Sequence, residues 1–147
     1  MKPSKTAQRI VCECLAGRAR LISRAVSGIH EEALRPHGIT TAQMGILAVA
    51  AAHDDPQSSD VASALYMEKS TLSRNLDRMI DHGWLDILPG ENGRSQRLRA
   101  TPAGRRLVEK VAPAWRSAQQ QARTLLGKQG AAALAQLGDR LMAGKHP

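Results

Sequence analysis

The chain has 147 residues, 42% apolar and 23% charged, with a formal net charge of +8: one domain, or one compact chain with two lobes, and too apolar to be disordered except at its ends. A balance this basic favours a polyanionic partner, of which nucleic acid is the commonest, or belongs to a soluble protein that is merely basic. A membrane span is excluded, because the longest apolar run, Ile46 to Ala52, falls far short of the ~18 residues needed; no hydrophobic stretch follows Met1-Lys2-Pro3-Ser4-Lys5, so a secretory signal is not expected and a cytoplasmic location is.

In chain order, residues 7 to about 35 read as one long helix, because Ile10, Cys14, Leu21, Val26, Ile29, Ala33 and Leu34 recur at a ragged helical spacing. Pro36-His37-Gly38 ends it. Its partly apolar face needs cover, from the C-terminal helices or from a second subunit. Thr40-Thr41 can cap a second helix from Ala42 to about His53, apolar almost all round and therefore buried. Asp54-Asp55-Pro56-Gln57 is a turn. Ser58 or Ser59 then caps a short helix, Asp60 to about Leu65, with Val61, Ala62 and Leu65 facing inward.

The next stretch, Glu68 to Trp84, is a helix that stops at Gly83. Leu72, Leu76, Met79 and Ile80 share one face, and Ser70, Thr71, Arg74 and Arg78 the other, with Ser73 at the border. Short hydroxyls at a helix start reach base edges or phosphates, and arginine forks onto guanine or phosphate. Two short helices with a tight connection and a polar outer face on the second suggest a helix-turn-helix, although buried helix pairs share the pattern. Scarce aromatics (Tyr66, Trp84, Trp115, no Phe) disfavour single-strand binding by base stacking, whereas a helix in a duplex groove needs none.

Trp84 to Leu88 can form a strand, Pro89-Gly90-Glu91-Asn92-Gly93 a turn and Arg94 to Ala100 the return strand. With Leu98 inward, alternation sends Arg97 and Arg99 to the opposite face. Arg94 at the tip suits a narrow, electronegative minor groove; the alternative is a solvated surface hairpin. Thr101-Pro102 starts another helix. Its Leu107, Val111, Trp115, Ala118, Ala122 and Leu125 form a seam that Pro113 should kink. Gly127 to Gly130 makes a break, and Ala131 to Met142 is a last helix with Leu134, Leu137 and Leu141 on one face. These helices are more apolar than one small lobe requires, so they make a dimer interface or an intramolecular three-helix bundle.

Val61-Ala62-Ser63-Ala64-Leu65, Lys69-Ser70-Thr71-Leu72-Ser73-Arg74-Asn75-Leu76-Asp77-Arg78-Met79, Gly83-Trp84-Leu85, and Arg94 followed by Leu98-Arg99-Ala100-Thr101-Pro102-Ala103-Gly104 together resemble the MarR family of bacterial transcriptional regulators. The contiguous resemblance spans about 45 residues, and the Ser-Thr-Leu-Ser-Arg run is specific only jointly with the hairpin and its Thr-x-x-Gly. The resemblance implies a mainly α winged helix-turn-helix: an N-terminal dimerisation helix (1–40), a DNA-binding lobe with a small β-hairpin wing (41–104) and C-terminal dimerisation helices (105–147). It implies a homodimer on a palindromic duplex operator, usually acting as a repressor. The positions of Ser70, Thr71, Ser73, Arg74 and Arg78 would lie in or along the major groove, and Arg94 would enter the minor groove; Lys69, Asn92 and Arg97 complete the candidate contacts. Asn92 departs from the family's usual aspartate, which would orient the wing arginine with a charge that asparagine lacks. The resemblance also suggests a small anionic or phenolic effector in the crevice between the dimer helices and the lobe.

Cys12 and Cys14 are the remaining oddity. On one continuous helix, positions i and i+2 point about 200° apart and cannot bridge to each other without unwinding, although a disulfide between subunits can form near a dimer axis. They are small buried apolar residues, or redox centres that release the DNA on oxidation, a role that reactive cysteines in the first helix of some family members imply. Two thiolates alone do not make a zinc site, and His30, His37, His53, His82 and His146 have no ligand-like spacing, so no metal and no cofactor are expected. No phosphate-binding glycine loop, H-E-x-x-H or nucleophile elbow occurs, so no catalytic residues are expected. A thiol-based redox protein or enzyme using Cys12 or Cys14, and a helical interaction module without DNA binding, are the alternative functions.

Overall fold

The computed structural model describes residues 2–144, so His146 lies outside the described residues. In order the chain forms α1 (Lys5–Glu13), α2 (Leu15–Leu34), a 3-10 turn (Arg35–His37), α3 (Thr41–Ala52), α4 (Ser58–Ala64), α5 (Lys69–Asp81), β1 (Leu85–Pro89), β2 (Gln96–Ala100) and α6 (Pro102–Ala143). The two strands pair antiparallel, with Leu85 opposite Ala100 and Ile87 opposite Leu98. This is a mainly helical winged-helix architecture.

The long first helix of the sequence reading is two helices. Cys14 is extended (φ −66°, ψ 112°), closing α1 and opening α2, while its N–H still bonds the Ile10 carbonyl at 3.1 Å. Arg18 donates to the Cys12 carbonyl across the break. None of the residues of α1 is buried, so no packing holds this stretch to continuous helical geometry, and cysteine adds little helix propensity of its own.

The core lies beneath the winged lobe. Ile46 and Leu47 of α3, Val61 of α4, Leu72, Leu76 and Met79 of α5, Leu85 of β1 and Leu98 of β2 meet there with Leu34 of α2 and Val111 of α6. Each such buried aliphatic side chain contributes about 1.5–3 kcal/mol of transfer free energy. The helix ends are set locally. Thr40 and Gln43 form a reciprocal capping box on α3, and the Glu31 carboxylate accepts from the Thr41 N–H at 2.8 Å. Gly83 adopts φ 72° after α5, so that the Trp84 N–H can reach back to the Met79 carbonyl at 2.9 Å.

Two sequence expectations about caps and kinks are corrected. Neither Ser58 nor Ser59 caps α4: Gln57 holds the cap position with extended backbone and no side-chain bond, and both serines lie in the first turn. In α6 the backbone stays helical through Pro113 and departs only at Gly127 (φ 71°, ψ 166°), within the expected glycine break. Proline's fixed φ is already helical, whereas a φ of +71° is natural only to glycine. The helix therefore runs 102–126, turns, and resumes over 128–143. The first strand begins and ends one residue later than expected and the second begins two residues later but ends at Ala100 as expected, which leaves a longer tip, closed by the Gly90 N–H on the Ser95 carbonyl at 2.8 Å.

Candidate nucleic-acid interface

The site is assembled by α5 and the hairpin. Burial of Leu72, Leu76 and Met79 fixes the rotation of α5 on the core. Lys69, Ser70, Ser73, Arg74 and Arg78 are therefore exposed, while Thr71 is half-buried. Among the described residues, the side chains of Lys69, Arg74, Arg78 and Arg94 make no hydrogen bond or ion pair, so their cationic ends are uncommitted. Asn75 instead ties its amide to the Thr71 carbonyl at 2.9 Å. The α5 start at Glu68 has no side-chain cap, which leaves first-turn N–H groups open to an outside acceptor.

An open groove of about 940 Å³ runs between α4, α5 and the hairpin. It is lined by Ser58 and Ser59, by Lys69, Ser73 and Asp77 of α5, and by Asn92, Arg94, Ser95 and Gln96 of the hairpin. The structure thus brings Lys69, Ser73, Asn92 and Arg94 to one groove, with Ser70, Arg74 and Arg78 exposed on the same helix. The sequence reading did not single out Ser58, Ser59, Asp77, Ser95 or Gln96 for this groove. Asp77 could have been found, since it lies one turn beyond Ser73 on α5; Gln96 shares the alternation of Leu98, which gave no signal that it lines a groove.

Arg97 is placed differently from the other candidates. Half-buried, it donates through Nε to the Asp55 carbonyl at 2.7 Å and through an Nη to the Asp54 carbonyl at 3.3 Å. Arg99, two residues on and on the same strand face, donates through Nε to both Asp55 carboxylate oxygens at 3.0 and 3.2 Å and forms an ion pair with them. The hydrogen bond from Arg99 holds the Asp55 carboxyl below its ordinary value, against a partial desolvation, and the charges of Arg99, Arg97 and Arg105 add to the lowering. Cys12 and Cys14 are exposed at the α1–α2 break, far in sequence from this groove and not buried as apolar residues would be. No cluster of three or more metal-binding side chains occurs among the described residues, and no described helix is long and apolar enough to cross a membrane. His30 is a packing residue: its Nδ1 faces the Val26 carbonyl at 3.0 Å and its Nε2 faces Gln119 of α6 at 3.2 Å.

Comparison with known proteins adds an independent line. A family model described as MarR family matches residues 37–95. The fold is similar to that of the M. tuberculosis transcriptional regulator MosR in complex with DNA, at 30% identity and TM-score 0.75, covering 89% of this chain and 98% of that one. It is also similar to a mutant MarR from E. coli complexed with operator DNA, at 21% identity and TM-score 0.77, covering 90% and 96%. A third similar fold is CouR from Rhodococcus jostii bound to p-coumaroyl-CoA, at 18% identity and TM-score 0.74, covering 93% and 95%. No curated protein matches significantly. With the helix pair, the hairpin, the family model and a relative at 30% identity matched over 98% of its chain in agreement, the chain belongs to the MarR family of winged helix-turn-helix transcriptional regulators.

Proposed function

We propose that the protein is a repressor that binds a palindromic duplex operator as a homodimer, α5 entering the major groove and Arg94 the minor groove. The observation that carries the reading is the set of uncommitted cations, Lys69, Arg74, Arg78 and Arg94, exposed on a helix and a hairpin that flank one groove. Buried arginines would be paired, and a surface kept basic only for solubility has no reason to converge on a groove. Ser70, Thr71 and Ser73 supply short donors near the helix start, and Asn92 a neutral one at the wing. MosR and MarR, with the same fold, have been seen on DNA. Such a regulator works in the cytoplasm.

The dimer is formed by α1, α2 and the far half of α6, whose Val11, Leu15, Leu21, Leu125, Leu137 and Leu141 are all more than half exposed in a single chain. Two-fold symmetry then sets the α5 helices about 34–36 Å apart, one DNA turn.

Release comes from oxidation or from a small anionic or phenolic effector. Oxidation is favoured by the break at Cys14, which removes the helical geometry that would keep Cys12 and Cys14 apart. A peroxide would take two electrons and two protons from two thiols, its O–O bond breaking to give two waters, or an alcohol and a water from an organic hydroperoxide, while the sulfurs join as a disulfide. An effector is favoured by CouR, which has the same fold and holds an acyl-CoA.

A gel-shift titration against fragments selected from genomic DNA tests the reading. Arg94→Ala should weaken binding; Arg74→Ala should cost about 1–3 kcal/mol at one base pair if it reads a base, or lose affinity uniformly if it holds phosphate. Unchanged affinity in both variants would remove the helix-and-wing interface. Repeating the titration after diamide treatment tests release: equal binding with both thiols free beforehand would eliminate the redox arm.

A further inference from the structure

The hairpin has two faces with opposite commitments. Asn92 and Arg94 look into the groove beside α5, whereas Arg97 lines a separate small pocket of about 230 Å³ on the other side, among Asp54, Asp55, Asp60 and Glu91. There its donors are used by two main-chain carbonyls, and four acidic residues share the pocket lining with it. The Leu98 N–H also bonds the Pro56 carbonyl at 2.9 Å, and Gln57 bridges Arg97 across the same edge. Arg99 completes the attachment on the Asp55 carboxylate. The turn takes a special backbone shape there, since Asp55 sits at φ +49°, a left-handed conformation that aspartate and asparagine adopt more readily than other non-glycine residues.

We infer that the Asp54–Asp55 turn is a seat that sets the angle of the wing, and that Arg97 and Arg99 are positioning residues acting on duplex DNA through Arg94 rather than contacts of their own. This rests on the DNA-binding reading above. A two-stranded ribbon attached only at its base is free to swing, and its tip arginine would then reach the minor groove from a broad distribution of angles. Two guanidinium groups clamped three and five residues beyond Arg94 narrow that distribution before DNA arrives. The seat belongs to the α3–α4 connection, so wing and helix-turn-helix move as one body.

The seat and a direct DNA contact predict opposite signs for one substitution. Asp55→Asn removes a negative charge, which by itself tightens binding to a polyanion, yet it weakens the seat; asparagine tolerates the positive φ, so the turn keeps its shape. Duplex binding by the full chain should weaken about three- to tenfold in Asp55→Asn. Arg97→Ala should weaken it comparably, but by less than about twofold when Arg94 is already alanine, because the two residues act in series. Arg99→Lys should recover most of what Arg99→Ala loses. Amide exchange at residues 94–97 of the free protein should quicken in Asp55→Asn, with the rest of the lobe unchanged. Equal or tighter binding by Asp55→Asn, or an Arg97→Ala loss that is the same with and without Arg94, would overturn the seat. Failure of the unaltered protein to bind any duplex would instead overturn the DNA-binding reading, and the exchange measurement would still decide whether the seat exists.

Discussion

Gly104 shows how much one missing side chain can carry. It is buried in the first turn of α6, its N–H donating to the Thr101 hydroxyl at 3.0 Å, while that hydroxyl donates to the Gly83 carbonyl at 2.6 Å. Thr101 thus caps α6 and ties it to the end of α5. A Cβ on Gly104 would fall inside the Trp84 carbonyl oxygen and 3.0 Å from a Leu47 methyl. The Thr-x-x-Gly spacing seen in the sequence is therefore a close approach of α6 to the loop that starts β1. Gly104→Ala should destabilise the fold by about 1–3 kcal/mol despite alanine's better helix propensity, because backbone cannot yield as a side-chain tip can. Thermal or denaturant unfolding checks this, and an unchanged midpoint would mean that α6 shifts freely on the lobe.

Among elements, the hairpin depends on charge for its placement. Asp55 is held below its ordinary value of 3.8 chiefly by the hydrogen bond from Arg99. A carboxyl whose folded value is below its unfolded one stabilises the fold above the unfolded value, and the contribution is lost as pH falls through the folded value. At neutral pH the attachment is therefore complete, and it should loosen only below about pH 4. Amide exchange over β2 should then quicken on acidification in the unaltered protein, and Asp55→Asn should flatten that dependence. The same slope in both would place the acid-sensitive group elsewhere. By contrast α5 is held by apolar burial and should show no such pH response of its own.

At the scale of the whole molecule, the exposed apolar surface is concentrated on α1, α2 and α6. Leu21 is 69% exposed, Leu137 52% and Leu141 58%, whereas the aliphatic core of the lobe is fully buried. A second copy is the natural cover. Leu137→Glu with Leu141→Glu should give a monomer by light scattering and lower affinity for a two-half-site operator by about a hundredfold or more, because the second half-site no longer binds intramolecularly. A dimer that survives both charges would place the interface on α1 and α2 alone.

How much of this was legible beforehand follows from the range of the forces involved. Periodicity placed α5 and alternation the hairpin, because burial of one face imposes its period on the sequence, whereas α3 was readable as a capped apolar run. The Thr40 cap and the Gly83 stop were readable for the same local reason: each is decided within four residues of itself. Lys69, Ser70, Ser73, Arg74 and Arg94 could be singled out because they depart from the apolar period and stay on the surface. What could not be read locally was which arginines are already engaged. Arg97 and Arg99 look like Arg94 in the sequence, and only folding brings the turn at Asp54 and Asp55, 42 to 44 residues earlier, against them. The break at Cys14 and the helical backbone at Pro113 belong to the same class, since packing, or its absence, overrides propensities worth a few kcal/mol at most. The sequence by itself determined the elements and the sign of the surface; the tertiary structure decided which charges remain free, because a charge is committed by partners that chain connectivity does not bring close.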